Sequence, residues 1–308
     1  MSSIYIYSPS GAVRDLSAFK RGVKRLKELG HEVEVDLGAL RSHQRFAGTD
    51  EERLDAIDRA CSSQADLALI TRGGYGLTRL LPALKYKRIA KAVARGTRFM
   101  GLSDFTAFQS ALLAQTGVHS WAGPALGEDL GAEEPDEVTQ ACFDDVLLGQ
   151  GEGAGWRMSL ATSRAYSHRK PGTWARDSIL WGGNLSVLVS LLGTPYFPAI
   201  DKGILFLEDV AEHPYRIERM LTQLLHAGVL ARQQAIVLGQ FTNYTLTAHD
   251  KGFKLSSVVN WLRSHLKVPV LTDLPFGHVP TKVCLPVGLR VSLLVEDRDA
   301  LLLWPHSH

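Results

Sequence analysis

The chain has 308 residues, of which 45% are hydrophobic and 21% charged, a composition typical of a globular protein with room for two domains. Lysine and arginine (34) nearly balance aspartate and glutamate (32), giving a net charge of +2. That balance argues against the clustered basic surface of nucleic-acid-binding proteins, so we expect no nucleic-acid partner.

Short apolar runs alternate with helical patterns through the first 120 residues. The runs predict strands at 4–7, 31–36, 66–71 and 98–102. Apolar residues at helical spacing predict helices at 16–29 and 105–115. Thr49 and Glu52 form a possible capping box at the start of another helix. Strands separated by helices indicate right-handed crossovers and a parallel sheet covered on both faces.

Periodicity weakens between residues 128 and 176 and then returns. Strands are predicted at 178–181, 203–207 and 235–240, helices at 214–227 and 255–266, and a β-hairpin or meander at the C-terminus. The predicted fold class is α/β. An N-terminal, mostly parallel α/β sheet domain spans 1–145, a connection spans 146–175, and a β-rich α/β C-terminal domain spans 176–308.

The cysteines and the lengths of the apolar runs indicate the cellular compartment. Cys61, Cys142 and Cys284 are odd in number and far apart, so they form no metal-binding spacing and no disulfide framework, which favours a reducing compartment. The N-terminus lacks a signal-peptide pattern, and no run reaches the roughly 18 apolar residues that span a bilayer. We expect a soluble, cytoplasmic protein with no membrane partner, no metal and no cofactor.

Ser103 lies between a predicted strand and a predicted helix, in the segment RFMGLSDFTAF. A serine on such a sharp turn is held clear of the sheet, near the first helical N–H groups, which favours attack on a carbonyl. The pattern differs from the G-x-S-x-G of α/β-hydrolases, because Phe105 replaces the second glycine. The alternative is that Ser103 or Asp104 only caps the helix that follows.

A glycine turn (residues 71–76, TRGGYG) follows another predicted strand. Its glycines let backbone N–H groups approach a ligand, although the turn is neither a P-loop nor a G-x-G-x-x-G motif. One hypothesis pairs the N–H of Gly74 with that of Asp104 in an oxyanion hole, while Arg72 holds a substrate carboxylate. The alternatives are a turn that only satisfies backbone geometry and a surface or inter-strand salt bridge for Arg72.

His278 differs from the other histidines, most of which occur in polar segments. It lies in LPFGHVP, preceded by Gly277 and soon followed by Pro280. Active-site histidines are commonly placed on such rigid loops at strand ends. The hypothesis is a catalytic imidazole, and the alternative is a structural hydrogen-bonding role.

Glu208 ends the apolar run GILFL, where a desolvated carboxylate needs a partner. An imidazole would serve, because the carboxylate would hold it in the right tautomer. Asp209 and Glu212 compete for this role. The alternative for Glu208 is a structural ion pair with Arg216 or Arg219.

Six motifs in one order resemble the LD-carboxypeptidase family, which includes the microcin C immunity peptidases. They are SPSG (8–11), TRGGYG with RLLP (71–76, 79–82), GLSDFTA (101–107), WGGNL (181–185), LEDVAEHPYRIERML (207–221) and GHVPTKVCLPVG (277–288), with WAGPAL (121–126) after the serine. The resemblance covers nearly the whole chain. One departure is that the family's common HGP triplet reads Ala122-Gly123-Pro124 here, which bears on a pocket wall and not on the chemistry.

The resemblance implies an N-terminal α/β domain bearing the serine and a C-terminal domain bearing Glu and His. It places the triad at Ser103, Glu208 and His278, and the oxyanion hole at the N–H of Asp104 and of a glycine in the glycine turn. The implied activity is that of a serine LD-carboxypeptidase. Such an enzyme releases the terminal D-alanine of a muropeptide tetrapeptide during peptidoglycan recycling, through an acyl-enzyme.

Arg72 and Asn184, the latter in WGGNL, are the candidates for substrate binding, and the resemblance suggests a homodimer. Two other functions remain open. A microcin C-type immunity peptidase would use the same triad on peptidyl nucleotides. A non-catalytic module would instead clamp a small ligand between two domains, with Ser103 as a helix cap.

Overall fold

A computed structural model describes residues 1–305, and its elements alternate between strands and helices. The strands are β1 (Ser3–Tyr7), β2 (Glu32–Val35), β3 (Leu67–Ile70), β4 (Arg98–Gly101), β5 (Ser120–Ala122), β6 (Gly153–Arg157), β7 (Gly172–Asn184), β8 (Ile204–Val210), β9 (Ala235–Thr242), β10 (Val270–Leu271), β11 (Leu285–Val287), β12 (Arg290–Glu296) and β13 (Asp299–Leu303). The helices are α1 (Leu16–Glu28), α2 (Asp50–Ser62), α3 (Tyr86–Ala94), α4 (Phe105–Thr116), α5 (Glu137–Leu148), α6 (Leu160–Ala165), α7 (Leu185–Ser190), α8 (Pro214–His226) and α9 (Leu255–His265).

The first sheet has the strand order β11-β5-β4-β3-β1-β2. β1 to β5 run parallel, and the apolar residues of β1, β3, β4 and β5 are buried, as expected for a sheet covered on both faces. In the edge strand β2, Val33 is half-buried and Val35 is exposed. The predicted parallel N-terminal sheet is therefore confirmed, as is the capping box of Thr49 and Glu52 at the start of α2. β11 was not predicted. It comes from the second half of the chain and pairs antiparallel with β5.

The second sheet has the order β10-β9-β8-β7-β12-β13-β6. β7 to β10 run parallel, and the predicted C-terminal hairpin is the antiparallel pair of β12 and β13. The segment expected to connect the domains contains β6, an edge strand of this sheet, and α6. In β6 the buried Ala154 and Trp156 alternate with glycines, so the sequence carries little of the usual strand pattern. The exact domain boundaries stay a prediction.

The helix α4 brings the two sheets together. Nine of its consecutive residues, from Phe105 to Leu113, are buried. It packs against α3 on one side and against β7 and α7 on the other. A helix that is apolar on all sides is typical of such a central position. The first turn of α4, which follows Ser103, contacts the second half of the chain directly, because Thr106 Oγ1 accepts the N–H of Asn184 at 3.0 Å.

The three cysteines are free thiols, with Cys61 and Cys284 buried. Burial raises the pKa of Cys61 to about 12, which makes its thiol unreactive. No helix within residues 1–305 is long and apolar enough to cross a membrane.

Candidate active site

Ser103 has a backbone conformation that side chains rarely adopt. Its φ is 63°, in the left-handed region, at the point where β4 has ended and α4 has not begun. Residues held in this region cluster at functional sites, where the surrounding structure offsets the strain. The side chain is partly exposed, and in the described part of the chain its hydroxyl has no hydrogen-bond partner. The serine turn (residues 101–105) thus presents a free hydroxyl.

Asp104 is the N-cap residue of α4 but does not cap it with its side chain. Its Oδ2 instead accepts hydrogen bonds from Ser10 Oγ at 2.5 Å and from the N–H of Leu77 at 2.9 Å. Burial raises the pKa of this carboxyl. The bonds join three segments that are far apart in the sequence: SPSG, the residue that follows the glycine turn, and the serine turn.

Gly73 makes the closest approach to Ser103. A Cβ on Gly73 would lie 2.6 Å from Ser103 Cβ and 2.8 Å from its Oγ, so only glycine fits there. The next residue, Gly74, is exposed and has a φ of 112°. Within residues 1–305, the N–H groups of Gly74 and Asp104 have no acceptor. Both are therefore available to a ligand, and their role as an oxyanion hole stays a prediction.

Glu208 and His278 are brought together by the fold. His278 Nδ1 lies 2.8 Å from Glu208 Oε2, and Glu208 is fully buried. Burial alone would lower the pKa of His278, but the hydrogen bond and the charge of Glu208 outweigh it and raise that pKa. With Nδ1 donating to the carboxylate, Nε2 is left as a proton acceptor. The Glu212 carboxylate lies elsewhere and pairs with Arg216 at 2.6 Å.

Asn184 holds Glu208 from the other side. Its amide donates to Glu208 Oε1 at 3.1 Å and to Asp209 Oδ1 at 3.0 Å, while its Oδ1 accepts from Ser186 Oγ and from the N–H of Val187. These bonds use the whole amide, and the residue is buried. Direct substrate binding by Asn184, which stays a prediction, would require some of them to break.

Asp209 is a buried carboxyl beside Glu208. Burial first and the Glu208 charge second raise the pKa of Asp209 to about 6. It nevertheless accepts the N–H of Ser186 at 2.9 Å as well as the amide of Asn184. Asn184 and Asp209 thus form a hydrogen-bonded support for Glu208, and the sequence had suggested Asp209 only as a competitor for the role of Glu208.

A cleft of about 370 Å³ lies beside His278. Leu102, which precedes Ser103, lines it together with His278. No hydrogen bond joins Ser103 to His278 among the described residues. Catalytic hydrogen bonds are often long in free enzymes and tighten when substrate binds. Leu102 of the serine turn and His278 therefore border the same cleft, and a catalytic contact between Ser103 and His278 stays a prediction.

Arg72 lies beside the glycine turn. Its Nη1 is 3.0 Å from where a Cβ of Gly74 would lie and donates to the carbonyl of Ala12 at 3.4 Å. Its Nε is 3.7 Å from Glu128 Oε1, a weak form of the expected salt bridge, and only 12% of the side chain is exposed. Burial lowers the pKa of Arg72. Several N–H donors of this guanidinium remain available for a carboxylate.

Sequence reasoning missed several residues of the cleft, above all Lys282 and Asp129. Their side chains form a nearly fully buried ion pair. The signal that could have revealed it is a lysine within the apolar stretch VPTKVCLPV, because a buried charge needs a counter-charge. Within residues 1–305, no group of three or more His, Cys, Asp or Glu side chains is arranged to hold a metal ion.

Family models match both halves of the chain. A model described as LD-carboxypeptidase N-terminal domain matches residues 4–123. A second, described as LD-carboxypeptidase C-terminal domain, matches residues 177–293. The resemblance inferred from the motifs is thereby confirmed.

Individual relatives match most or all of the chain. The crystal structure of a muramoyltetrapeptide carboxypeptidase from Oxalobacter formigenes is 37% identical, with a TM-score of 0.87 and 100% of both chains covered. A murein tetrapeptide carboxypeptidase of Pseudomonas aeruginosa is 31% identical, covering 87% of this chain and 86% of that protein. The microcin C7 self-immunity protein MccF of Escherichia coli is 25% identical, covering 95% of this chain and 90% of that protein.

Proposed function

This chain belongs to the LD-carboxypeptidase family, and from that premise we propose that it is a serine carboxypeptidase acting on muropeptide tetrapeptides. The observation that carries the proposal is the 2.8 Å bond between His278 and the buried Glu208, beside the cleft that the serine turn also borders. A carboxylate paired with an imidazole, and a free serine hydroxyl on a turn that borders the same cleft as the imidazole, are the parts of a serine hydrolase.

In the proposed mechanism Ser103 Oγ attacks the carbonyl of the peptide bond before the terminal D-alanine. His278 Nε2 takes the proton of the hydroxyl and later donates it to the leaving amine, while Glu208 keeps the imidazole oriented. The N–H groups of Gly74 and Asp104 stabilise the oxyanion. Water then hydrolyses the acyl-enzyme on Ser103 with His278 again as the base.

The free carboxylate of the terminal residue distinguishes a carboxypeptidase substrate from an internal peptide bond. Arg72 is the proposed partner of this carboxylate, because its guanidinium is nearly buried, weakly paired and adjacent to Gly74. For Asn184 we propose an indirect role, which is to hold Glu208 in place rather than to contact the peptide.

The test is to incubate the purified full-length chain with a murein tetrapeptide ending in D-alanine and to measure the products by mass spectrometry. We expect the tripeptide and free D-alanine. The matched control is the same tetrapeptide ending in L-alanine, which should remain intact if the enzyme is specific for the D-configured residue. Intact D-alanine tetrapeptide at every enzyme concentration would contradict the proposal.

A second candidate function is cleavage of peptidyl nucleotides, favoured by the relative MccF. A structure of MccF in complex with glutamyl sulfamoyl guanosine has a TM-score of 0.85 to this chain at 22% identity, which shows a common fold. An aminoacyl-sulfamoyl adenosine assayed beside the tetrapeptide separates the two activities. A larger kcat/KM for the nucleotide would favour the second.

We also propose that the enzyme acts in the cytoplasm, in peptidoglycan recycling, and as a homodimer. The free cysteines are compatible with a reducing compartment.

A fluorophosphonate probe distinguishes this enzyme from a non-catalytic binding module, because only an activated serine is acylated. Labelling at Ser103 is expected, and tight ligand binding without labelling would favour the module.

A further inference from the structure

We infer that the first turn of α5 is a clamp that positions the catalytic imidazole. It holds the His278 loop (residues 277–284) against the half of the molecule that carries the serine. The contacts come from Asp136 and Thr139, supported by Asp129 in the preceding segment. This inference rests on the proposed function, because it takes His278 as the base that activates Ser103.

Thr139 makes the central contact. Its Oγ1 donates to the carbonyl of Pro280 at 2.9 Å and accepts from the N–H of Lys282 at 2.8 Å. The residue is 3% exposed. One buried hydroxyl therefore fixes the backbone on both sides of Thr281. Thr281 is three residues after His278.

Asp136 extends the contact from the N-cap position of α5. Its Oδ1 accepts the N–H of Thr139 at 2.9 Å, as a helix cap does. Its Oδ2 accepts the hydroxyl of Thr281 at 2.5 Å. The same carboxylate thus orders the helix turn and binds the His278 loop.

Lys282 anchors the end of the clamp. Its ammonium pairs with Asp129 Oδ1, and Asp129 Oδ2 accepts the N–H of Ala125 at 2.8 Å. Both charged side chains are nearly fully buried, with 3% and 6% exposed. A buried pair of this kind is strongly disfavoured from opening, because each charge would be left without its partner.

The contacts matter because the two reacting side chains come from different halves of the chain. Glu208 orients the ring of His278, and Thr242 Oγ1 donates to the His278 carbonyl at 3.3 Å, but both belong to the second half. Among residues 1–305, the hydrogen bonds and the ion pair between the His278 loop and residues 125–139 are those of the clamp, and β11, which follows the loop, pairs with β5. A displacement of about 1 Å between reacting groups can cost about 10²-fold in rate.

The test is Thr139→Val, which removes both hydrogen bonds and keeps the shape of the side chain. We expect kcat to fall by about 10- to 100-fold while KM stays within about twofold, since Arg72, the proposed partner of the substrate carboxylate, is not altered. The rate of fluorophosphonate labelling at Ser103 should fall in parallel, and Thr139→Ser should restore both. Labelling needs no muropeptide, so it tests the clamp even if the proposed substrate is wrong. A wild-type enzyme that is not labelled would overturn both the clamp and the proposed serine mechanism.

Thr162→Val is the matched control. Thr162 is also a buried threonine, and its Oγ1 bonds to Thr272 Oγ1 at 2.6 Å and to Arg263 at 2.9 Å, within the second half only. It should lose thermal stability as Thr139→Val does and keep kcat. Equal kcat in the two variants, or failure of Thr139→Ser to restore the rate, would overturn the clamp.

A milder variant covers the case in which Thr139→Val does not fold. Thr281→Val removes only the bond to Asp136 Oδ2, at a side chain that is partly exposed. It should lower kcat and the labelling rate severalfold, in the same direction. Wild-type values in this folded variant would count against the clamp.

Discussion

The serine turn and the Glu208–His278 pair are held in place by different means. Ser103 is positioned by its backbone, with a φ of 63°, Gly73 directly beside it and a hydroxyl without a partner in residues 1–305. Glu208 and His278 are positioned by side-chain hydrogen bonds, from Asn184 on one side and across to the imidazole on the other. The proposed nucleophile thus depends on local chain geometry, and the proposed base on a hydrogen-bond network.

This difference has a physical reason. A nucleophile must leave its oxygen free for the substrate, so its position has to come from the main chain. A base must keep one nitrogen bonded and the other free, so it needs an oriented acceptor that is itself held rigid. The two regions should therefore respond differently to substitution.

Ser103→Ala tests the free hydroxyl and has the largest expected effect. It should lower kcat by about four to six orders of magnitude, because the nucleophile is lost. The melting temperature should hardly change, since the hydroxyl forms no bond in the described structure. Ser110→Ala on the same helix is the control and should keep the activity. Turnover near the wild-type level in Ser103→Ala would rule out this residue as the nucleophile.

Glu208→Gln tests the hydrogen-bond network around His278 through the pH dependence of the activity. In the wild type kcat/KM should rise with pH as His278 loses its proton, with a midpoint above the ordinary histidine value of about 6.5, because Glu208 raises the pKa of His278 against the effect of burial. Without the charge, burial remains and the midpoint should fall, while kcat drops by about 10³- to 10⁴-fold.

The control for this experiment is Glu212→Gln, which removes a nearby carboxylate that pairs with Arg216 and not with His278. Its midpoint should equal that of the wild type. A midpoint in Glu208→Gln that is also unchanged would show that Glu208 does not govern the imidazole. The proposed dependence of the His278 base on a side-chain network would then be wrong.

Gly73→Ala tests the local geometry and has the smallest expected effect of the three. The added methyl group would lie 2.8 Å from Ser103 Oγ, so the hydroxyl must shift, and kcat should fall by about 10²-fold. The pH midpoint should stay that of the wild type, because the Glu208–His278 pair is untouched. Gly151→Ala is the control, since the nearest atom to its Cβ would be 3.7 Å away. Full activity in Gly73→Ala would show that the serine turn tolerates displacement.

Much of the first sheet could be predicted from the sequence, because each parallel strand is a short apolar run bounded by turn residues. β2, β3 and β4 lie within the predicted strands, and β1 begins one residue earlier than predicted. The capping box at Thr49 is a local signal that is present in the structure. β6 and β11 were not predicted, because they lack local signals of this kind. β6 is glycine-rich, and the three-residue β11 exists only because β5 offers it an edge from far along the chain.

The sequence by itself determined the family, the parallel sheet and the identity of the candidate residues. Motifs and periodic patterns are local, so they can be recognised without knowledge of the fold. Only the tertiary structure decided which side chains meet. Asn184 proved to bind Glu208 and Asp209, Asp104 to join three turns, and Thr139 to hold a loop more than 140 residues away. Such contacts depend on how the two halves pack, and no local pattern in a chain records the distance between residues so far apart.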